Sequence, residues 1–189
     1  MGLSIGAFLI IGPGEEDCDY HFVNNPDFPG RADDITSGWY IKTGWYTAER
    51  LAPSVQWGYS GYSEFREWLA RLVFPDAPPR RDLELTHPLS MDAVDWANFR
   101  DRAFQARHPA FSLVINDPTA RLHELINFSD CEGIIGYSVC KKLLSDLDSL
   151  EIPENPYAAF FRHEEMLAAL KTAIKAVVDA GPLAVLNFS

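Results

Sequence analysis

The C-terminal end constrains the fold more than any other stretch. Over Ala158–Ala180 the residues Phe160, Leu167, Leu170, Ile174, Val177 and Val178 recur on one side of a helix, and Gly181-Pro182 stops it. The apolar segment PLAVLNFS follows at once and reads as a last strand added to a sheet. At the other end, Leu3–Ile11 is an apolar run closed by Gly12-Pro13-Gly14, which a continuing strand would resist. It is read as a buried first strand. It is not read as a signal peptide, because no basic residue precedes it.

Between these ends the chain alternates loops with short elements. Glu15–Asp19 and Asn24–Asp34 are surface loops around a short strand at Tyr20–Val23, and Gly38–Arg50 is a bent strand or hairpin rich in Trp and Tyr. Val55–Tyr59 reads as another strand. The next segment, SGYSEFREWLARLVF, carries Tyr62, Phe65, Leu69 and Leu72 at helical spacing, widened by Trp68 and ending before Pro75. Ser60 or Ser63 is the expected cap. A proline-arginine loop over Asp76–Asp82 leads to a second helix from Ser90 to about Arg107. Phe111–Ile115 is expected to be a strand, ended by Asn116-Asp117-Pro118-Thr119.

His123–Leu150 then reads as strand, acidic loop, glycine-punctuated turn and helix, with the strand at Leu125–Phe128 and the turn at Ile134–Gly136. The order implies an α+β fold in a single domain spanning 1–189. It has one mixed or antiparallel sheet, with three to four amphipathic helices packed mainly on one face.

Composition narrows the function classes. Sixteen Lys and Arg against 27 Asp and Glu give a formal charge of −11, which repels nucleic acid and anionic membrane and favours a basic partner. Solubility alone is an equally good reason for such a charge. The three cysteines form no CxxC pair, no apolar run is long enough to span a membrane, and a cytoplasmic protein is the expectation.

Chemistry is concentrated in Ser129-Asp130-Cys131-Glu132-Gly133. Two carboxylates one residue apart could hold a cation or move a proton, with His123 as the nearest further ligand and His163 beyond it. The same carboxylates could simply cap a turn or present charge. Cys131 is a poor nucleophile, since Asp130 and Glu132 disfavour its thiolate. The histidines show no paired spacing, GxSxG is absent, and GPGEED lacks the Lys-Ser/Thr of a phosphate loop. No cofactor is expected.

Three pieces together carry a resemblance: MGL before the first apolar strand, Gly58–Arg66 (GYSGYSEFR) at a strand-to-helix junction, and Phe128–Gly133 (FSDCEG). With the closing helix, Gly181 and strand, their order resembles the immunity proteins of bacterial polymorphic toxin systems, specifically immunity family seventy, and related uncharacterised actinobacterial and phage proteins. Residues 13–57 and 75–120 have no counterpart in it. The resemblance implies a protein that binds and neutralises a cognate toxin domain, with no catalytic residues of its own. A basic active-site cleft on the toxin would suit the charge of this chain.

The carboxylates expected to face such a cleft are Asp130, Glu132, Asp146, Asp148, Glu15, Glu16 and Asp17. The expected aromatic anchors are Trp39, Tyr40, Trp45 and Tyr46, the rest of the Trp/Tyr group being core. Two alternatives stay open: a metal-dependent hydrolase built on the Asp130/Glu132 loop with His123, and a phage-encoded inhibitor of a host defence enzyme.

Overall fold

Strand β1 (Gly2–Pro13) runs through the middle of a six-stranded antiparallel sheet and pairs directly with three other strands. The computed structural model describes residues 2–16, 19–23, 41–77, 109–128, 133–152 and 163–189. In chain order the other elements are β2 (Tyr20–Phe22), β3 (Gly44–Arg50), β4 (Val55–Gly58), α1 (Tyr59–Val73), α2 (Pro109–Asn116), α3 (His123–Asn127), β5 (Gly133–Gly136), α4 (Tyr137–Asp148), α5 (His163–Ala180) and β6 (Ala184–Phe188). The strand order is β2-β3-β1-β6-β5, with β4 on the same edge of β1 as β3.

Strands β3 and β4 are one path along β1 interrupted by a bulge. Arg50 stands opposite Phe8 and Val55 opposite Ile5, so residues 51–54 face only Gly6 and Ala7. A second register shift falls between Ile10 and Gly12, which lets β1 continue through Gly12 and Pro13 instead of stopping before them. Surplus residues on one side of a ladder bend it and raise its twist. The two irregularities lie on opposite strands of the same pairing, and the sheet curls.

The curl brings the first and last strands of the order together. Phe22 of β2 and Ile134 of β5 belong to one buried cluster with Phe8, Ile10, Ile41 and Val185, and Tyr46 and Ala48 pack against it. A methyl group placed on Gly133 would lie 3.7 Å from the Val23 carbonyl oxygen and 2.8 Å from the Phe128 ring. The edges therefore approach across the inside of the curl.

The outer face carries the larger core. Leu3, Ile5, Ala7, Val55, Trp57, Ile135, Ala184, Leu186 and Phe188 project from the sheet toward α1, α2, α4 and α5. Helix α5 covers β1 and β6 and packs on α4, while α1 packs on α2 and α3. The helices lie on one face of an antiparallel α+β sheet, as expected. Gly181 ends α5 at φ +91°, a conformation glycine adopts without strain.

Several local expectations are corrected. Phe111–Ile115 is not a strand but part of α2, because Ala110, Phe111 and Val114 are the buried positions, a helical spacing, and Pro109 suits a first helical turn. Leu125–Phe128 is not a strand either. Leu125 and Ile126 lie in α3, entered from Leu122 in the left-handed region at φ 57°. Ile134–Gly136 is strand rather than turn, and all four residues of β5 are buried. Helix α1 begins after Gly58 with no side-chain cap, so neither Ser60 nor Ser63 is its cap residue. The expected helix from Ser90 to Arg107 and residues 158–162 of the last helix lie outside the described residues.

Candidate partner-binding surface

Strand β3 reaches beyond the helix layer, and its two faces meet different surroundings. Tyr46 and Ala48 turn into the curl, where Tyr46 lies 6.1 Å from the Phe22 ring and its hydroxyl donates to the Lys42 carbonyl at 2.9 Å. By strand alternation Trp45, Thr47 and Glu49 occupy the opposite face. Thr47 and Glu49 are exposed and Trp45 is half-buried. Trp45 sits against its cross-strand partner His21, with ring centroids 5.0 Å apart, and His21 is itself exposed. The result is a solvent-facing patch that contains a half-buried indole.

The acidic loop after β1 borders this patch. The Gly14 amide donates to the Trp45 carbonyl at 2.9 Å, and the Glu15 amide donates to the Asp19 carboxylate at 2.9 Å. Gly14 passes so close to β3 that a β-carbon there would fall 2.6 Å from the backbone carbon of Tyr46. With Asp19 used to close the loop, Glu15 and Glu16 are left exposed in the segment that follows the Gly14–Trp45 hydrogen bond. Glu49 adds a further exposed carboxylate on β3 itself.

The two carboxylates of α4 behave differently from each other. Asp146 accepts the Leu122 amide at 2.8 Å and the Lys142 ammonium at 3.2 Å, and Lys142 also reaches Glu124 at 2.7 Å. Burial pulls the Lys142 ammonium toward deprotonation, but its hydrogen bond and charge pairing with Glu124, joined by Asp146, outweigh this and leave its pKa raised. Asp146 thus clamps the strained Leu122 turn to α4 and is spent on the fold. Asp148 is exposed and pairs with Lys171 at 2.6 Å, tying α4 to α5. Neither shares an element with the patch on β3.

His123 is buried, and its Nδ1 donates to the Val114 carbonyl at 2.8 Å, which joins α3 to α2. Among the described residues no group of three or more His, Cys, Asp and Glu side chains could hold a metal ion. Asp17, Trp39, Tyr40, Asp130, Cys131 and Glu132 lie outside the described residues. Cys140 is fully buried, and that burial pushes its thiol pKa far up, so it is a packing residue.

Sequence reasoning missed His21, Thr47 and Glu49, whose place beside Trp45 depends on the β2–β3 register. It also passed over Arg66, a buried arginine that donates to the Ile126 carbonyl at 2.6 Å, with its guanidinium over the rings of Tyr62 and Phe111. Four-residue spacing from Tyr62 places both on one side of α1, but nothing in the sequence marks Arg66 as interior. No helix among the described residues is long and apolar enough to cross a membrane. Compared with protein-family models, with curated proteins and with solved structures, the chain gives no match.

Proposed function

We propose that this chain is an inhibitory binding protein of the immunity type, which neutralises a cognate toxin domain by covering a basic cleft. The observation that carries the reading is the half-buried Trp45 on β3, set against the exposed His21, with exposed Glu49 on the same strand and exposed Glu15 and Glu16 on the loop bonded to β3. An aromatic side chain at the centre of a polar, charged surface is the arrangement in which interface energy concentrates. The net charge of −11 speeds encounter with a cationic partner and makes the association salt-sensitive. In this reading Asp130 and Glu132 contribute to the acidic charge that draws a basic partner, while Asp146 serves the fold.

The test is co-expression with the toxin domain encoded beside this chain. Cells survive with the wild-type chain, and survival is lost when Trp45→Ala is combined with Glu15→Lys and Glu16→Lys. Equal killing with and without the chain would sink the proposal.

A further inference from the structure

Trp57 of β4 is buried in the main core, with its ring 5.5 Å from Tyr62 and 5.2 Å from Phe65. An indole N–H in such a place needs an acceptor. Here the acceptor is a thioether: Trp57 Nε1–H donates to Met166 Sδ at 2.9 Å. Met166 lies near the start of α5 and packs against the core while keeping part of its side chain accessible. The same end of α5 carries His163, whose ring lies 5.4 Å from Trp68 and 6.0 Å from Phe65. The N-terminal turns of α5 are thus held to β4 and α1 through Met166 and His163 on a run of aromatic rings, not through ladder hydrogen bonds.

We propose that Met166 is a site of reversible oxidation by hydroperoxides, and that its oxidation unseats the N-terminal end of α5 from β4. The sulfur attacks the peroxide, the O–O bond breaks and an S–O bond forms. The thioether loses two electrons to become the sulfoxide, and the peroxide is reduced to water or an alcohol. The sulfur lone pair that faced Trp57 is then engaged or redirected. A flexible apolar side chain has become a polar, chiral one. The strong new acceptor is the oxygen, displaced from the position at which the indole N–H points. Either the N–H swings to follow it or it loses its partner inside the core, and in both cases the contact between α5 and β4 is remade.

The experiment uses the full chain labelled with nitrogen-15 and treated with hydrogen peroxide. The indole resonance of Trp57 is assigned by its loss in Trp57→Phe, and oxygen uptake at each methionine is read by peptide mass spectrometry. The expected result is oxygen on Met166, a shifted Trp57 indole resonance and a lower Tm. Methionine sulfoxide reductase should restore both readings, and Met166→Leu, close in volume, should abolish the peroxide response. If Met166 stays unoxidised while free methionine in the same tube is consumed, the site does not exist. If Met166 takes up oxygen and neither the indole resonance nor the Tm moves, or if the response persists in Met166→Leu, the coupling to Trp57 is refuted. Should the leucine variant fail to fold, reversal by the reductase on the wild-type chain still decides.

Discussion

Strands β6 and β3 belong to the same sheet, yet one is enclosed and the other is not. All five residues of β6 are buried: Ala184, Leu186 and Phe188 under the helices, Val185 inside the curl, and Asn187 on the same side as Val185 by alternation. Strand β3 has no fully buried residue, and its side opposite the curl is open at Thr47 and Glu49. The difference separates what the fold needs from what it can spare. Substitutions on β6 should act on stability, and substitutions on the open face of β3 should act on the proposed partner binding.

The sharpest test of that division is Phe188→Ala. Phe188 stacks on Phe128 with centroids 4.1 Å apart and meets Tyr62 at 6.2 Å. Truncating a buried phenylalanine leaves a cavity and lowers stability by about 3–5 kcal/mol. Urea unfolding of the purified variant should show this loss, and a change within the noise would mean that β6 is not the centre of the core.

Next in size is Asp146→Asn, which distinguishes the fold's clamp from a partner contact. The amide can still accept from Leu122, but it no longer balances the Lys142 ammonium that Asp146 and Glu124 share. Weakening a partly buried, charge-assisted bond of this kind costs about 1–3 kcal/mol. The loss should appear in the isolated chain. If stability is unchanged and the proposed protection against a toxin domain falls instead, Asp146 belongs with the carboxylates proposed to face the partner, and its assignment to the fold is wrong.

These two residues also show what could be read without coordinates. Phe188 sits in an apolar run that directly follows a terminated amphipathic helix, and both elements were legible from residue spacing alone. The four-residue interval between Lys142 and Asp146 was equally visible, but the Leu122 amide and Glu124 come from another element and left no local trace. Strand β5 escaped because Gly-Ile-Ile-Gly has neither alternation nor length, and it is buried on both sides, between the helices and the curl. The short apolar run of α2 fits a strand or a helix equally well until its neighbours select Ala110, Phe111 and Val114. At the candidate surface Trp45 and Tyr46 are equivalent in composition, whereas alternation gives them opposite fates. The pairing of Trp57 with Met166 spans 109 residues and is invisible to any local pattern.

A smaller effect is expected from pH. Burial holds the His163 imidazole below its ordinary pKa of 6.5, with Glu64 pulling weakly the other way. The unfolded chain therefore binds this proton more readily than the folded one. The group's contribution is fully present above pH 6.5 and is lost as pH falls through the lower, folded value. Thermal unfolding between neutral and mildly acidic pH should show a decline that is shallower in His163→Phe. An identical slope in the variant would place the acid sensitivity elsewhere.

The smallest effect on stability, and the most informative for function, belongs to Trp45→Ala with Glu49→Lys. Glu49 is exposed on β3, and neither Trp45 nor Glu49 contributes to either buried cluster. Substitutions at open surface positions usually stay within about 0.5 kcal/mol of wild type, with some extra loss where Trp45 leaves His21. The same pair removes the indole and reverses one exposed charge on the same strand. Affinity for the proposed toxin domain should therefore fall by at least about tenfold, equivalent to about 1.4 kcal/mol. The fall should be greatest at low salt, where the lost attraction is least screened. Binding titrations of the wild type and the double variant at two salt concentrations separate the outcomes. A stable double variant that binds as tightly as wild type would move the contact off β3 altogether. A salt-independent loss would retain Trp45 as an anchor but remove Glu49 from the contact.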